Sequence, residues 1–406
     1  MPSQYIIDSS TLTDIADAIR LKGGTSSPMA PSEMPNLIDA IPSDGGTEAE
    51  DALVERTFTS YENSRVSVIG YYGFYSYTSL QSVSFPNVTK IGGSAFAGCS
   101  GLREIYFPEL TYLGGYAFEN CRSLQTVDFP KMTSIGGSNF SYCINLKTVN
   151  LPNCTHIGNN TFFSCSKLSS IYAPKVEEIR QSAFANCLSL SSVNFPMCSK
   201  IFEFGFSNCT RLVTFTGSVN ELGAGAFQYC SSLLSFNGTN VTSIGTGIFA
   251  KCISLSSVIF PLINTIPARA FQYCSSLSIV NFPNVSMTSS EAFAYCNSLQ
   301  IISVPLMNRL GGYCFMGCSM LSEVSFPNLS YIGPSAFSGC TSLEKIVLLS
   351  TSVCSLDYYV FYNTPMSKSE YLGHFGSIYV PENLVSDYKV AKNWSSYAER
   401  ITAWVE

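Results

Sequence analysis

Cysteine is the side chain whose number and spacing most invite a chemical reading. The 406-residue sequence holds sixteen of them. Twelve form a column: Cys99, Cys121, Cys143, Cys165, Cys187, Cys209, Cys230, Cys252, Cys274, Cys296, Cys318 and Cys340. Cys154, Cys198, Cys314 and Cys354 stand outside it. A metal site would want close pairs of the C-x2-C kind with further ligands nearby, and no such pair occurs, so no metal is expected. One residue type recurring at a fixed interval is what core packing produces, because a free Cys behaves as a small, readily buried hydrophobe. Stacked neighbours near strand spacing would also permit disulfides. Buried free thiols are the expected state, and the column assigns no redox compartment.

The other catalytic residue types form no constellation. The two histidines, His156 and His374, lie far apart in sequence, and Ser is so frequent that a Ser-His-Asp proposal has no specificity. Glu177-Glu178 is the only acidic pair within the repeats. A glycosidase needs two carboxylates opposed across a cleft, which sequence neighbours do not supply. Gly223-x-Gly225 is a lone fragment of a phosphate-type loop. The expectation is a non-enzymatic protein with no cofactor.

The elements behind the column are repeats. Phe recurs at 74, 96, 118, 140, 162, 184, 206, 227, 249, 271, 293, 315 and 337, with a step of 22 residues broken once, by 21, between Phe206 and Phe227. A Cys follows three residues after each Phe from Phe96 onward, and a Leu three residues after each Cys. In the copy LQSVSFPNVTKIGGSAFAGCSG, residues 80 to 101, Leu80, Val83 and Phe85 mark a short extended stretch. Pro86 then ends its ladder, having no N–H to donate. Ala95, Phe96 and Cys99 have the spacing of one short helical or 3-10 turn. No single coil can bury that apolar column alone, whereas stacked coils bury it continuously, which is the logic of a solenoid. The fold expected is an α/β-type repeat solenoid over residues 74–350.

This pattern, LxxVxFPxxTxIGxxAFxxCxx from about residue 66 to about 349, resembles a leucine-rich repeat of the treponemal, BspA-like type. The resemblance implies a family of surface-exposed binding proteins, many of them adhesin-like.

Composition agrees with a packed array. Some 46% of residues are hydrophobic and only 12% charged, about half the usual ~25%. Disorder would want the reverse balance, nucleic-acid binding a basic excess, and membrane insertion an apolar run of about 18 residues. None is present. The net charge of −6 is not spread evenly: residues 1–50 hold 8 acidic and 2 basic side chains, and residues 51–406 hold 20 of each.

The ends differ from the repeats. In residues 1–42, Leu12, Ile15, Ala16 and Ile19 follow a capping-box pattern at Thr11, and Met34, Leu37, Ile38 and Ile41 repeat the spacing. Two short amphipathic helices are expected there, followed by a linker over 43–50. Residues 1–20 show no basic region, continuous apolar core or small-residue cleavage site of a signal peptide, so export by that route is not expected. The segment YIIDSSTLTDIADAIRLKGG and its continuation to Ile41 is similar to segments that open tail-associated proteins of phages and prophages. That resemblance implies docking of residues 1–42 on tail or baseplate proteins and a virion location. Residues 51–73 and 351–406 are expected to cap the solenoid, the latter with helices around Leu384, Val385, Tyr388, Trp394, Tyr397, Ala398 and Ile401.

Function should lie where the repeat does not fix the residue. The strand column after the Val position gives a ribbon of Tyr and small polar groups, with Tyr106, Asp128, Asn150, Tyr172, Asn194 and Asn237 as candidate binding residues. Rigid aromatics beside adaptable hydrogen bonders have the character of a paratope. A second stripe precedes the Cys at Tyr142, Tyr229, Tyr273 and Tyr295, where the rings could bind or could pack between coils. Gly217 and Gly238 replace the strand-end Phe of two adjacent coils, reading as a local kink or as a dent for binding. The function expected is that of a phage or prophage tail or baseplate-associated protein whose solenoid binds a host surface receptor, protein or glycan; the alternative is a bacterial surface adhesin located outside the cell. Neither involves nucleic acid or insertion into a membrane.

Overall fold

The computed structural model describes residues 59–367 and 375–405. The expected helices of residues 1–42, the linker and His374 lie outside them. The chain divides into two compact units, Met1–Cys198 and Ser199–Glu406. Each is built of the same coil.

Every coil contributes two short strands. In the first unit, Ser60–Glu62, Ser82–Ser84 and Glu104–Tyr106 pair in parallel, as do Thr126–Asp128, Thr148–Asn150 and Ser170–Tyr172. Partners are one repeat apart, for example Val83 with Ile105 and Val127 with Val149. A second ladder follows the Pro turn, with Lys90–Ile91 beside Tyr112–Leu113 and His156–Ile157 between Ser134–Ile135 and Glu178–Ile179. The second unit repeats the first ladder in Ser235–Asn237, Ser257–Ile259 and Ile279–Asn281 and in Ile301–Ser303, Glu323–Phe326 and Lys345–Leu348, and the second in Thr265–Ile266, Met287–Thr288 and Arg309–Leu310. The alternation of polar and apolar residues sends Val83, Phe85 and Ile91 inward and leaves Ser84 at the surface.

The stretch around Ala95, Phe96 and Cys99 is not helical, contrary to expectation. It is a run of turns with left-handed backbone at two residues four apart, such as Ser94 (φ 55°) and Gly98 (φ 76°), or Ser138 (φ 57°) and Tyr142 (φ 62°). The consequence is visible in the hydrogen bonds. Alternate amides reach the next coil: Ser94 to Gly115 O at 2.9 Å, Phe96 to Ala117 O at 2.7 Å and Gly98 to Glu119 O at 2.8 Å. The intervening amides close i to i−3 turns, Ala97 to Ser94 O and Cys99 to Phe96 O. A helix would keep all these bonds within its own coil. The left-handed residues cost about 1–2 kcal/mol each when not Gly, and the third inter-coil ladder they create offsets that cost.

The core is two stacks. Phe74, Phe96, Phe118, Phe140, Phe162 and Phe184 lie ring on ring at centroid separations of 4.9 to 5.6 Å. In the second unit the stack runs from Phe206 to Phe361 at 5.3 to 5.8 Å. Offset aromatic pairs of this kind add about 0.5–1.5 kcal/mol beyond burial. The Cys column runs beside it. Cys121 Sγ donates to Phe96 O at 3.2 Å, and Cys143, Cys165 and Cys187 repeat the bond at 3.1 to 3.3 Å. Phe96 O also accepts Cys99 N–H, so both lone pairs of a buried carbonyl are used. Cys is therefore small enough for the core and supplies a donor that Ala or Val lacks.

Gly217 and Gly238 do not leave a dent. Phe215 and Phe236 occupy the Val position of those coils, two residues earlier on the same pleat, and stack on each other at 5.9 Å. A Cβ on Gly238 would collide with the Phe260 ring. The bulk has moved along the strand instead of disappearing. The missing residue of the short coil falls in the turn between Gly217 and Val219, where other coils have Pro.

The closing segment is mixed. Ser377–Val380 and Ile401–Ala403 extend the first ladder beyond Lys345–Leu348. Between them lie the 3-10 turns Glu382–Leu384 and Ser395–Arg400 and the short helix Val385–Val390. Ile401, expected in a helix, opens an edge strand instead. Trp394 is fully buried, donates Nε1–H to Cys354 O at 2.6 Å and packs on Tyr388 and Phe361. The Tyr388 hydroxyl accepts Cys354 N–H at 2.9 Å, and burial pushes its pKa up to about 12.

Candidate binding face

The ladder of first strands turns one residue before and one after each buried Val position toward solvent. In the first unit this brings five of the six candidate residues together. Tyr106, Asp128, Asn150, Tyr172 and Asn194 follow one another on the strands Glu104–Tyr106, Thr126–Asp128, Thr148–Asn150, Ser170–Tyr172 and Ser192–Phe195. Tyr106 is 56% and Tyr172 59% exposed, more than a merely packed ring retains. Between them Asn150 Nδ2 donates to Asp128 Oδ1 at 2.8 Å. That bond fixes the amide and leaves its carbonyl and the second carboxylate oxygen as acceptors. The next column inward of the strand start is tied similarly, Lys147 Nζ to Gln125 Oε1 at 3.3 Å. The arrangement offers two aromatic faces with an anchored polar pair between them.

The sixth residue, Asn237, belongs to the second unit. It is exposed, but its Oδ1 accepts Thr239 N–H at 3.2 Å and shapes the turn that lacks Pro. The face there has another character. Ile259, Ile279 and Ile301 are 38%, 64% and 63% exposed on the strands Ser257–Ile259, Ile279–Asn281 and Ile301–Ser303. Sequence reasoning missed this patch. Its signal is the broken alternation of Ile279-Val280 and Ile301-Ile302, where other coils place Ser, Thr, Glu or Lys before the buried residue.

The tyrosines before the Cys column pack and show themselves at once. Tyr142, Tyr229, Tyr273 and Tyr295 all hold left-handed backbone, and Tyr142, Tyr229 and Tyr273 stay about 40% exposed. Tyr273 and Tyr295 stack at 4.6 Å, and Lys251 Nζ sits 4.9 Å from the Tyr229 ring centre. A Cβ on Gly317 would come within 2.6 Å of the Tyr295 ring. The rings of Tyr229, Tyr273 and Tyr295 meet the equivalent position of the next coil, and that of Tyr142 meets Phe163 edge to face.

The remaining chemistry-bearing groups are buried thiols and side chains paired with their neighbours. All sixteen cysteines are buried free thiols. Burial raises the pKa of Cys143, Cys165, Cys252 and Cys274 and pushes Cys154 up to about 11, which makes nucleophilic thiolates unavailable near neutral pH. His156 Nδ1 lies 2.8 Å from Thr155 Oγ1, and its Nε2 is 3.9 Å from Glu178. Glu178 Oε2 pairs with Arg180 at 2.6 Å, although shut from solvent and without a well-aligned hydrogen bond. Glu177 and Glu178 do not oppose each other across a cleft. A cleft of about 320 Å³ does open in the second unit beside Tyr331, Asp357, Lys392 and Asn393. Tyr331 donates to Asp357 at 3.0 Å and Asn393 to Leu356 O at 2.7 Å, so these groups hold the closing segment in place. Among the described residues there is no group of side chains able to hold a metal ion, and no helix is long and apolar enough to cross a membrane.

Stacked 22-residue coils with parallel strands and one Phe and one Cys per coil match the family model of the BspA type leucine rich repeat region over residues 67–191, 155–278 and 242–368. The chain belongs to this family. Its structure is similar to that of a leucine-rich repeat protein from Bacteroides ovatus, with 25% identity, a TM-score of 0.57, and coverage of 74% of this chain and 92% of that one. It is also similar to a leucine rich cell surface protein from Faecalibacterium prausnitzii, at 26% identity, a TM-score of 0.43, and coverage of 70% and 83%. No curated protein matches the sequence.

Proposed function

We propose that this BspA-type chain is a non-enzymatic, adhesin-like binding protein displayed outside the bacterial cell, whose partner is a host surface protein or glycan. Membership of the BspA-type family supports a binding role. The observation that carries it to particular residues is the row Tyr106, Asp128, Asn150 and Tyr172, where two open rings flank a fixed carboxylate–amide pair. Asn194 continues the row, and Asn237 serves its own turn. The groups that could do chemistry are buried thiols or bonded surface pairs, which fits binding without turnover. The alternative, a phage or prophage tail protein docked through residues 1–42, gains nothing from the family or the relatives, and its segment lies outside the described residues. Binding of the full chain to host cell surfaces tests the reading. A Tyr106→Ala and Tyr172→Ala double variant should lose most of that binding while melting at the temperature of the unsubstituted protein. Unchanged binding would remove this face from consideration.

A further inference from the structure

We propose that the row Tyr106–Asp128–Asn150–Tyr172 binds a linear, uncharged glycan that runs across the strands, with one sugar unit per coil. This rests on the reading of that face as the binding surface and names its ligand. The first argument is spacing. The hydrogen-bonded strands of Asp128, Asn150 and Tyr172 present equivalent residues at about the 4.8 Å inter-strand distance, close to the advance of one hexopyranose along an extended chain, and Tyr106 stands on the strand of the preceding coil, which ends the adjoining sheet. An extended peptide advances about 3.3 Å per residue with alternate side chains opposed, so it stays out of step with the coils when laid in that direction.

The second argument is charge. From the coil of Glu104 to that of Asn194, the outward strand residues and the column before them hold two acids, Glu104 and Asp128, and two bases, Arg103 and Lys147. Asp128 is engaged by Asn150 and Lys147 by Gln125. A face with no net charge, two of whose four ions are held by amides, complements a neutral chain of hydroxyls, not a polyanion or a basic peptide.

The third is the side-chain set itself. Hydroxyl-rich ligands need acceptors and donors held in place, and apolar sugar faces need open aromatic rings. Asp128 and Asn150 supply fixed polar atoms, Thr126 and Thr148 lie one pleat away on the same strands, and the two exposed tyrosines bracket them three coils apart. Four consecutive coils therefore define a footprint of four sugar units.

Calorimetric titration of the full chain with neutral β-linked gluco-, manno- and galacto-oligosaccharides of increasing length tests this. Affinity should climb steeply up to four units and then level off. Tyr172→Ala and Tyr106→Ala should each weaken the tetramer by about tenfold, roughly 1.4 kcal/mol, and Tyr229→Ala, in the other stripe, should not. Equal binding of single sugars and tetramers, or tetramer binding untouched by both strand-face substitutions, would overturn the inference. So would the absence of binding across all three series. If host surfaces then still bind the chain through Tyr106 and Tyr172, the glycan assignment alone has failed. If they do not, the surface-binding reading has failed with it.

Discussion

The two units carry the same coil and show solvent different faces. In the first, the positions after the buried strand residue are Tyr106, Asp128, Asn150 and Tyr172; in the second, Ile259 stands exposed in that column, and Ile279 and Ile301 stand exposed in the column before the buried residue. The backbone pairings behind them are alike, partner for partner, one repeat apart. The lesson is a division of labour. Inward Phe, Leu and Cys set the frame, and that frame accepts a polar-aromatic row or an aliphatic patch without adjusting. Adjacent exposed Ile on neighbouring strands form the kind of contiguous apolar surface that marks an interaction site. The comparison thus separates what folds the chain from what the chain offers to partners.

The largest effect should fall on what the units share. Phe162 and Phe293 are fully buried, each stacked on both sides. Replacing either by Ala should cost about 3–5 kcal/mol. Urea unfolding of the two variants should give costs within about 1 kcal/mol of each other. A large loss in one unit and a small loss in the other would break the claim of a common frame.

The thiols sharpen it next. No cysteine should react with a thiol reagent in the native protein, and all sixteen should react once it is unfolded. Unfolded thiols ionise at about pH 8.5, whereas burial holds Cys143, Cys165, Cys252 and Cys274 protonated to higher pH. Above pH 9 the native state thus binds more protons than the unfolded one, so stability falls as pH rises. It should be insensitive to these groups below about pH 8 and decline between pH 9 and 11. Cys143→Ala and Cys274→Ala should each flatten that decline in denaturation curves, and each should lose about 1 kcal/mol at neutral pH with its bond to a Phe carbonyl.

The smallest effect should come from the faces. Ile279→Ser with Ile301→Ser should shift stability by less than about 0.5 kcal/mol and should lower the binding of a hydrophobic dye by the chain. A stability loss of several kcal/mol would mean that these side chains belong to the core.

Much of this was legible in the residues. The 22-residue period, the inward column and the free thiols follow from spacing and from the way small hydrophobes pack. The tyrosine–amide row was legible because alternation on a strand assigns faces. The turn segment was not. Ala95, Phe96 and Cys99 suit one helical turn as well as a left-handed turn pair, and the left-handed positions hold Ser, Tyr, Asn, Arg, Glu and Gly in different coils, so residue type gives no warning. The hydrogen bonds that select the turns run to the next coil, which a local pattern does not contain. At Gly217 and Gly238 the warning was present in Phe215 and Phe236, whose shift of two residues keeps the ring on the same side of the strand. Ile279 and Ile301 were equally readable as breaks in alternation.

The most direct test sets the two faces against each other in one binding measurement. The full chain, its Tyr106→Ala/Tyr172→Ala variant and its Ile279→Ser/Ile301→Ser variant are titrated onto the same host cell surface. The account predicts that the tyrosine variant weakens by at least about tenfold, or 1.4 kcal/mol, while the isoleucine variant stays within about twofold. A tyrosine variant that binds as tightly as the unsubstituted chain would contradict it.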